Sequence, residues 1–588
     1  MGAETDGRRT RFRLWAPSVA EVALQLGDAR VAVPMQASGG GWFELETDSA
    51  PPGTPYRFLL PDGLAVPDPA SRAQQQDAHG PSLVVDSGAY RWAHPEWRGR
   101  PWEEAVIYEL HVGTFSATGD FDGVRRRLDE LAELGVTAVE LLPVADFPGR
   151  WNWGYDGVLL FAPDRAYGSP EDLKRLIDAA HGRGLMMLLD VVYNHFGPDG
   201  NYLHVYAREF FTADAQTPWG AAIDFRRAEV REFFIENALY WLDEYRFDGL
   251  RFDAVHAIDE RWRSGFLAEL GARVREAITG RHVHLVLEND ANEAHWLRGE
   301  FAAQWNDDIH HAAHVVLTGE SGGYYEDYQG DVVAVFGRAL AEGFVYQGEP
   351  SRHRGGRPRG EPAAGLPPTA FVSFLQNHDQ VGNRAFGERI GRLAAPDALQ
   401  AVTAVLLLAP QVPMLFMGEE SLAESPFLYF CDFDEELASA VRAGRRREFA
   451  SFPAFASEAA RARIPDPAAA ATVEASRLGA DPSVAGRRFR DFVTRLLTLR
   501  RERIVPLLAG APGGPAEWHR WDARGLSVTW TLADGARLSL AANLGDAPGT
   551  LPAMPDGERL FAWPEPGTPD GCVMPAWSAA WWLHEETA

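Results

Sequence analysis

The stretch Phe247-Asp248-Gly249-Leu250-Arg251-Phe252-Asp253-Ala254-Val255-His256 decides how the rest of this 588-residue chain is read. After Gly249 the run is apolar except for Arg251 and Asp253, which stand two apart. In a strand such residues point to the same side, so a guanidinium and a carboxylate emerge together. The arginine keeps the aspartate ionised and oriented, which is how a carboxylate nucleophile is set up. A buried ion pair that only ties strands together has the same local pattern, so the companions of this segment carry the decision.

Three other segments repeat the design. Leu185 to His195 is apolar on both parities apart from Asp190 and ends in Asn194-His195, the pattern of a parallel strand buried on both faces. Val283 to Glu288 runs into Asn289-Asp290, and Phe371 to Asp379 closes on Gln376-Asn377-His378-Asp379. Four strand-like runs, each ending in Asp, Glu, His or Asn, are what a TIM (β/α)8 barrel needs to gather a site at one rim from distant segments.

Taken in order, these four segments resemble the signature regions of the α-amylase superfamily, glycoside hydrolase family 13, and the resemblance extends over the chain from about Val106 onward. It implies that Asp253 is the nucleophile, Glu288 the general acid/base and Asp379 the third carboxylate. Asn194, His195, Arg251 and His378 are implied to bind and stabilise the cleaved sugar.

Composition agrees with such a protein. The length predicts two to four domains. With 46% hydrophobic and 24% charged residues the chain reads as globular and soluble. A formal net charge of −27 argues against nucleic acid or an anionic membrane as partner, and is indifferent to a neutral glucan. Cys431 and Cys572 are too few for a disulfide framework and Met1 to Arg9 has no apolar stretch, so a cytoplasmic location is expected. Ala401 to Gly418 approaches membrane-span length, but Pro410, Gln411 and Pro413 make it a barrel helix followed by a late strand. Lys174, the only lysine, is expected on a solvated helix face.

Residues 1–97 show short period-2 runs separated by Gly, Pro and Asp, as a β-sandwich does. They resemble the carbohydrate-binding-module-like (E-set) domain carried by branching, debranching and trehalose-releasing members of the superfamily. Residues 98–508 alternate strands and helices and are expected to form the barrel, with 195–225 as an insertion too long for a routine loop. Residues 509–588, rich in Trp, Gly and Pro with short β runs, read as an antiparallel C-terminal β-domain. Within Arg150 to Asp156, two polar neighbours and a glycine argue for a rim loop rather than core. There Trp151, Trp153 and Tyr155 would stack on sugar faces while Asp156 accepts from hydroxyls.

Weaker signals have bland readings. Gly319 to Gly323 has the spacing of a serine-hydrolase elbow without its strand-to-helix context. Asp307, His310, His311 and His314 have helical zinc-binding spacing, but no glutamate base sits between the histidines. The basic stretch Ser351 to Gly360 reads as a mobile loop.

Asp68 to Arg72, His79 to Ser82, Gln304 to His311 and Phe374 to Arg384 are similar to strings of the superfamily's trehalose-releasing branch. This implies hydrolysis of the α-1,4 bond next to the terminal trehalose unit of maltooligosyl-trehalose, a step of trehalose biosynthesis needing neither cofactor nor metal. The acceptor side of the cleft is then expected in the Asp307 to His311 string, with Asp308 and His311 as binding residues, and in His256 and Asp290. A branching or debranching enzyme would keep the same three carboxylates and differ in the acceptor or linkage admitted. A non-catalytic glucan-binding homologue would be expected to lack at least one of them.

Overall fold

A computed structural model of the chain describes residues 1–27, 32–217, 220–450, 452–479, 481–564 and 572–585. Eight strands close into a parallel barrel. They are β1 (Ile107–Leu110), β2 (Ala138–Leu141), β3 (Met186–Val191), β4 (Gly249–Phe252), β5 (His284–Leu287), β6 (Ala303–Trp305), β7 (Phe371–Phe374) and β8 (Val412–Phe416). Every position in all eight is buried, because one face meets the helices and the other fills the barrel. That is why the sequence shows continuous apolar runs rather than alternation.

The barrel interior changes character along its axis. Ile107, Ala138, Met186, Leu188, Val286, Ala303, Val372, Val412 and Met414 pack into one apolar cluster. Two residues further along β1 to β5 the same inward face carries Glu109, Glu140, Asp190, Arg251 and Glu288. The polar groups therefore collect towards the carboxyl ends of the strands, the rim on which barrel enzymes build their sites. At the start of β4 only glycine fits: a Cβ on Gly249 would lie 2.5 Å from the His284 carbonyl oxygen and 2.8 Å from Leu188 Cδ2.

Local signals explain the helices. Pro170–His181 starts with a capping box in which Ser169 and Asp172 exchange side-chain and backbone hydrogen bonds, with Pro170 in the first turn. On this helix Lys174 departs from the expected solvated face. It is buried, donates to the Ser87 carbonyl at 3.3 Å and pairs with Glu244, because the connector around residues 87–90 lies over it. The Ala401 to Gly418 run resolves as the helix Pro396–Leu408 followed by β8, and among the described residues no helix is long and apolar enough to cross a membrane.

Before the barrel lie two antiparallel sheets, one ordering Gly2–Thr5, Thr10–Trp15, Trp42–Thr47 and Gln36–Gly39, the other built around Ala23–Leu26 and Pro55–Leu59. They rest on the segment that follows β3. Ser18 donates its N–H to the Tyr206 carbonyl at 3.0 Å and its hydroxyl to Glu209 at 2.8 Å, and Trp15 meets Phe210 edge-on. That segment, the expected 195–225 insertion, contains the helix Leu203–Tyr206 and a hairpin of Phe211–Thr217 with Gly220–Ile223; residues 218 and 219 lie outside the described ones. After the barrel, five antiparallel strands form one sheet, in the order Glu517–Arg520, Gly525–Thr531, Arg537–Asn543, Ser578–His584 and Glu558–Trp563. Of the expected 509–588 span, residues 565–571 and 586–588 lie outside the described ones.

Candidate active site

Arg251 organises the polar end of the barrel. Its Nη1 is 2.6 Å from Asp190 Oδ2 and 2.9 Å from Asp253 Oδ1, and its Nη2 is 2.9 Å from Glu288 Oε2. The guanidinium is itself buried and lies over the Trp305 ring at 4.2 Å, so it reaches three carboxyls from a fixed position. Asp190 is a register partner of Arg251 on the adjacent strand. Burial pushes its carboxyl up to about 7 against the pull of the arginine, and Tyr155 donates its hydroxyl to it at 2.6 Å.

Asp253 leaves the end of β4 with one oxygen on Arg251 and the other accepting from Asn194 Nδ2 at 2.8 Å. The next residue, Ala254, sits in the left-handed region at φ 38°, an uncommon conformation for a residue with a Cβ. This turn aims its N–H at Glu288 Oε2, 2.7 Å away. Asp253 and Glu288 are thus held by adjacent nitrogens of one guanidinium, close together and facing the same space. Asp379, half-exposed, accepts from Asn383 at 3.0 Å and lies 3.8 Å from His378 Nε2. His195 is buried, with Nε2 against the Tyr155 carbonyl at 3.0 Å and Nδ1 against Asn194. Burial lowers its pKa, which disfavours the charged ring. A carboxyl gripped by an arginine beside a second carboxyl, with a third at the edge, is the equipment for acid/base and nucleophilic displacement at a sugar carbon.

The aromatic loop divides. Tyr155 stacks on His378 with centroids 5.0 Å apart. Trp153, expected as an exposed sugar platform, is 4% exposed: it stacks on Phe427, meets His378 edge-on and donates to the Leu428 carbonyl at 2.9 Å. Gly382 lies against it so closely that a Cβ there would fall 2.1 Å from the ring, so Trp153 belongs to the packing behind the site. Asp156 accepts from Asn152 at 2.6 Å, and burial raises its pKa.

The Asp307 to His311 string is the start of the helix Asp307–Thr318, which follows β6 without a loop. The expectation for Asp308 is overturned. It is fully buried and accepts from the backbone N–H groups of Val345 and Tyr346, from Asn292 and from the Tyr328 hydroxyl, while Arg359 lies 2.9 Å away. No lone pair is left for a sugar. Asp308→Ala is expected to lower stability by about 3 kcal/mol, because the buried Arg359 loses its one buried carboxylate partner and keeps only the half-exposed Asp290, and thermal unfolding checks it. The carboxyl turned towards the site is that of Asp307. Burial raises its pKa strongly, and the nearby charges of Glu288, Asp290 and Asp379 add to the rise. His311 is buried against Tyr324 and Tyr328, and among the described residues neither ring nitrogen has a hydrogen-bond partner. Tyr324, which sequence reading missed, is exposed and donates to Gln380.

His256 Nδ1 accepts the Asp290 N–H at 3.2 Å, and the half-exposed Asp290 carboxylate pairs with Arg354 and, at 3.1 Å, with Arg359. The stretch Ser351 to Gly360, expected as a mobile loop, is therefore tied to the rim by its arginines. The zinc and serine-elbow readings also close. His310 Nδ1 is 2.6 Å from the Leu375 carbonyl and His314 Nε2 is 2.8 Å from Glu320, while Gly319 is the left-handed C-cap of the helix. Among the described residues no group of three or more His, Cys, Asp or Glu side chains is arranged to hold a metal ion.

A family model described as the α-amylase catalytic domain matches residues 98–213, and one described as a domain of unknown function, DUF3459, matches 514–581. With the barrel and its carboxyl-lined rim, this defines a glycosidase of the α-amylase superfamily. The malto-oligosyltrehalose trehalohydrolase of Saccharolobus solfataricus is 40% identical over 76% of this chain and 80% of its own length. That of Deinococcus radiodurans is 40% identical over 85% and 82%. The chain belongs to the malto-oligosyltrehalose trehalohydrolase family. A solved structure described as a putative α-amylase from Salmonella typhimurium superimposes with a TM-score of 0.94 at 45% identity, covering 99% of both chains.

Proposed function

We propose that this chain hydrolyses the α-1,4-glucosidic bond adjacent to the terminal trehalose unit of maltooligosyl-trehalose, releasing free trehalose and a shorter maltooligosaccharide. The observation that carries the mechanism is the single guanidinium of Arg251 gripping both Asp253 and Glu288. Asp253, held in place by Arg251 and Asn194, attacks the anomeric carbon. Glu288 gives its proton to the departing glucosidic oxygen, then takes a proton from the water that hydrolyses the glycosyl-enzyme. Two carboxyls gripped by one guanidinium suit a retaining enzyme, whose pair stands about 5–5.5 Å apart, too close for a water to attack in place of the nucleophile in the first step. Asp379 and His378 hold hydroxyls of the cleaved ring, and Tyr155 and His195 form its floor.

Trehalose enters on the acceptor side. Its 1,1-bond turns the terminal disaccharide away from the course of maltose. Asp307, Asp290 with its arginines, His256, His311 and Tyr324 offer this side fixed charges, hydrogen-bonding edges and an aromatic face. Buried polar groups of this kind select by being left unpaired when the wrong sugar enters. The thiols of Cys431 and Cys572 support a cytoplasmic location for the reaction. Digestion of maltotriosyl-trehalose tests the reading: trehalose and maltotriose are expected in equal amounts. New α-1,6 branches would point to a branching enzyme instead, and no cleavage at all to a glucan-binding homologue.

A further inference from the structure

Beneath the rim, two neighbouring carboxyls of the barrel interior are used differently. Glu109 on β1 and Glu140 on β2 are register partners, each 1% exposed. Both oxygens of Glu109 are taken by one residue: Oε2 accepts the His378 N–H at 3.0 Å and Oε1 pairs with His378 Nδ1. Among the described residues neither oxygen of Glu140 has a hydrogen-bond partner.

The His378 ring cannot turn. Tyr155 stacks on one side, Trp153 meets it edge-on, and Trp305 lies tilted at 6.1 Å. With Nδ1 committed to Glu109, the opposite edge, Nε2, faces Asp379 Oδ1 at 3.8 Å. A neutral imidazole has one donor and one acceptor nitrogen. If Nδ1–H were given to Glu109, a neutral ring would turn a lone pair towards the Asp379 carboxylate. Only the imidazolium donates at both ends. Resting on the glycosidase reading above, we propose that Glu109 is a positioning residue that fixes His378 as an imidazolium whose Nε2–H is presented to Asp379 and to a hydroxyl of the cleaved sugar. A charge-assisted hydrogen bond to that hydroxyl is roughly twice as strong as a neutral one.

The charges around the ring agree. Burial alone would lower the His378 pKa, and Arg251 on β4 opposes the proton; Glu109 on β1 and Asp379 on its own helix outweigh them and raise it to about 9. His111, just beyond β1, is lowered to about 4 by burial, so it is neutral and adds no repulsion. Glu140 on β2 also senses the ring, but burial holds its own carboxyl protonated far above the usual range, so it supplies no compensating charge.

The test uses the full-length enzyme with labelled histidine and follows the imidazole signal lost in His378→Asn. In the wild type this signal is expected to titrate near pH 9, and in Glu109→Gln lower by about two pH units. Trehalose release by Glu109→Gln is expected close to wild type at about pH 5.5, where the ring is protonated in both, and about tenfold or more below it at about pH 8. Glu109→Asp, which keeps the charge, should recover most of the loss at the higher pH. Glu140→Gln should leave the His378 titration where it was. A wild-type His378 that loses its proton below about pH 7 overturns the proposal even if Glu109→Gln fails to fold. So does a Glu109→Gln deficit of equal size at both pH values with an unmoved titration. The wild-type titration is read without substrate, so failure to release trehalose would count against the glycosidase reading and leave this one standing.

Discussion

Asp253→Asn and Glu288→Gln are each expected to lower kcat about a thousand-fold or more while leaving Tm nearly unchanged. Each swap keeps shape and removes the ionisable function. Without the carboxylate of Asp253 there is no nucleophile. Without Glu288 the departing glucosidic oxygen leaves unprotonated. The fold should tolerate both changes, because Arg251 keeps Asp190 and one of the two site carboxyls as partners in either variant. In Glu288→Gln the new amide oxygen can still accept the Ala254 N–H that the carboxylate accepts now. Turnover on maltotriosyl-trehalose and thermal unfolding measure the two halves of the prediction. A variant that retains a tenth of the wild-type rate would remove that residue from the proposed chemistry.

The second large effect concerns the acceptor. Catalytic efficiency on maltotriosyl-trehalose is expected to exceed that on maltopentaose, which has the same number of glucose units, by about a hundred-fold or more. A polar site that leaves buried groups unpaired with the wrong sugar can discriminate on that scale. Asp307 is the residue to vary, since its half-buried carboxyl senses the charges of Glu288 and Asp379 across the cleft. Asp307→Ala is expected to narrow the ratio about tenfold, the worth of one hydrogen bond to the acceptor sugar, by slowing trehalose release more than any hydrolysis of the plain oligosaccharide. Equal efficiencies on the two substrates would point to a general amylase.

How far these residues could be read in advance depended on local geometry. β3, β4, β5 and β7 were legible because each is an apolar run ending in a polar cluster, and in a parallel barrel those ends must meet. β6 was not, since three residues, Ala303–Trp305, are too short to show a period and run straight into a helix. The same junction hid the helical phase. Adjacent residues on a helix point about 100° apart, so which of Asp307 and Asp308 faces the cleft depends on where the first turn starts. Trp153 and Lys174 were misjudged for a different reason: a polar residue adjoins each, Asn152 and Arg175, but segments distant in the chain, around Phe427 and Ser87, cover them. Glu109 carried a signal that went unused, a single acid in the otherwise apolar strand Ile107-Tyr108-Glu109-Leu110 on the parity of the inward face.

Proton NMR of a fresh digest of maltotriosyl-trehalose tests the central claim most directly, because it reads bond position and stereochemistry together. The expected spectrum shows free trehalose appearing in step with maltotriose whose new reducing end is first in the α-configuration, the β-anomer growing in later by mutarotation. β-Maltotriose appearing first would contradict the Asp253 glycosyl-enzyme, and cleavage without trehalose would contradict the proposed bond.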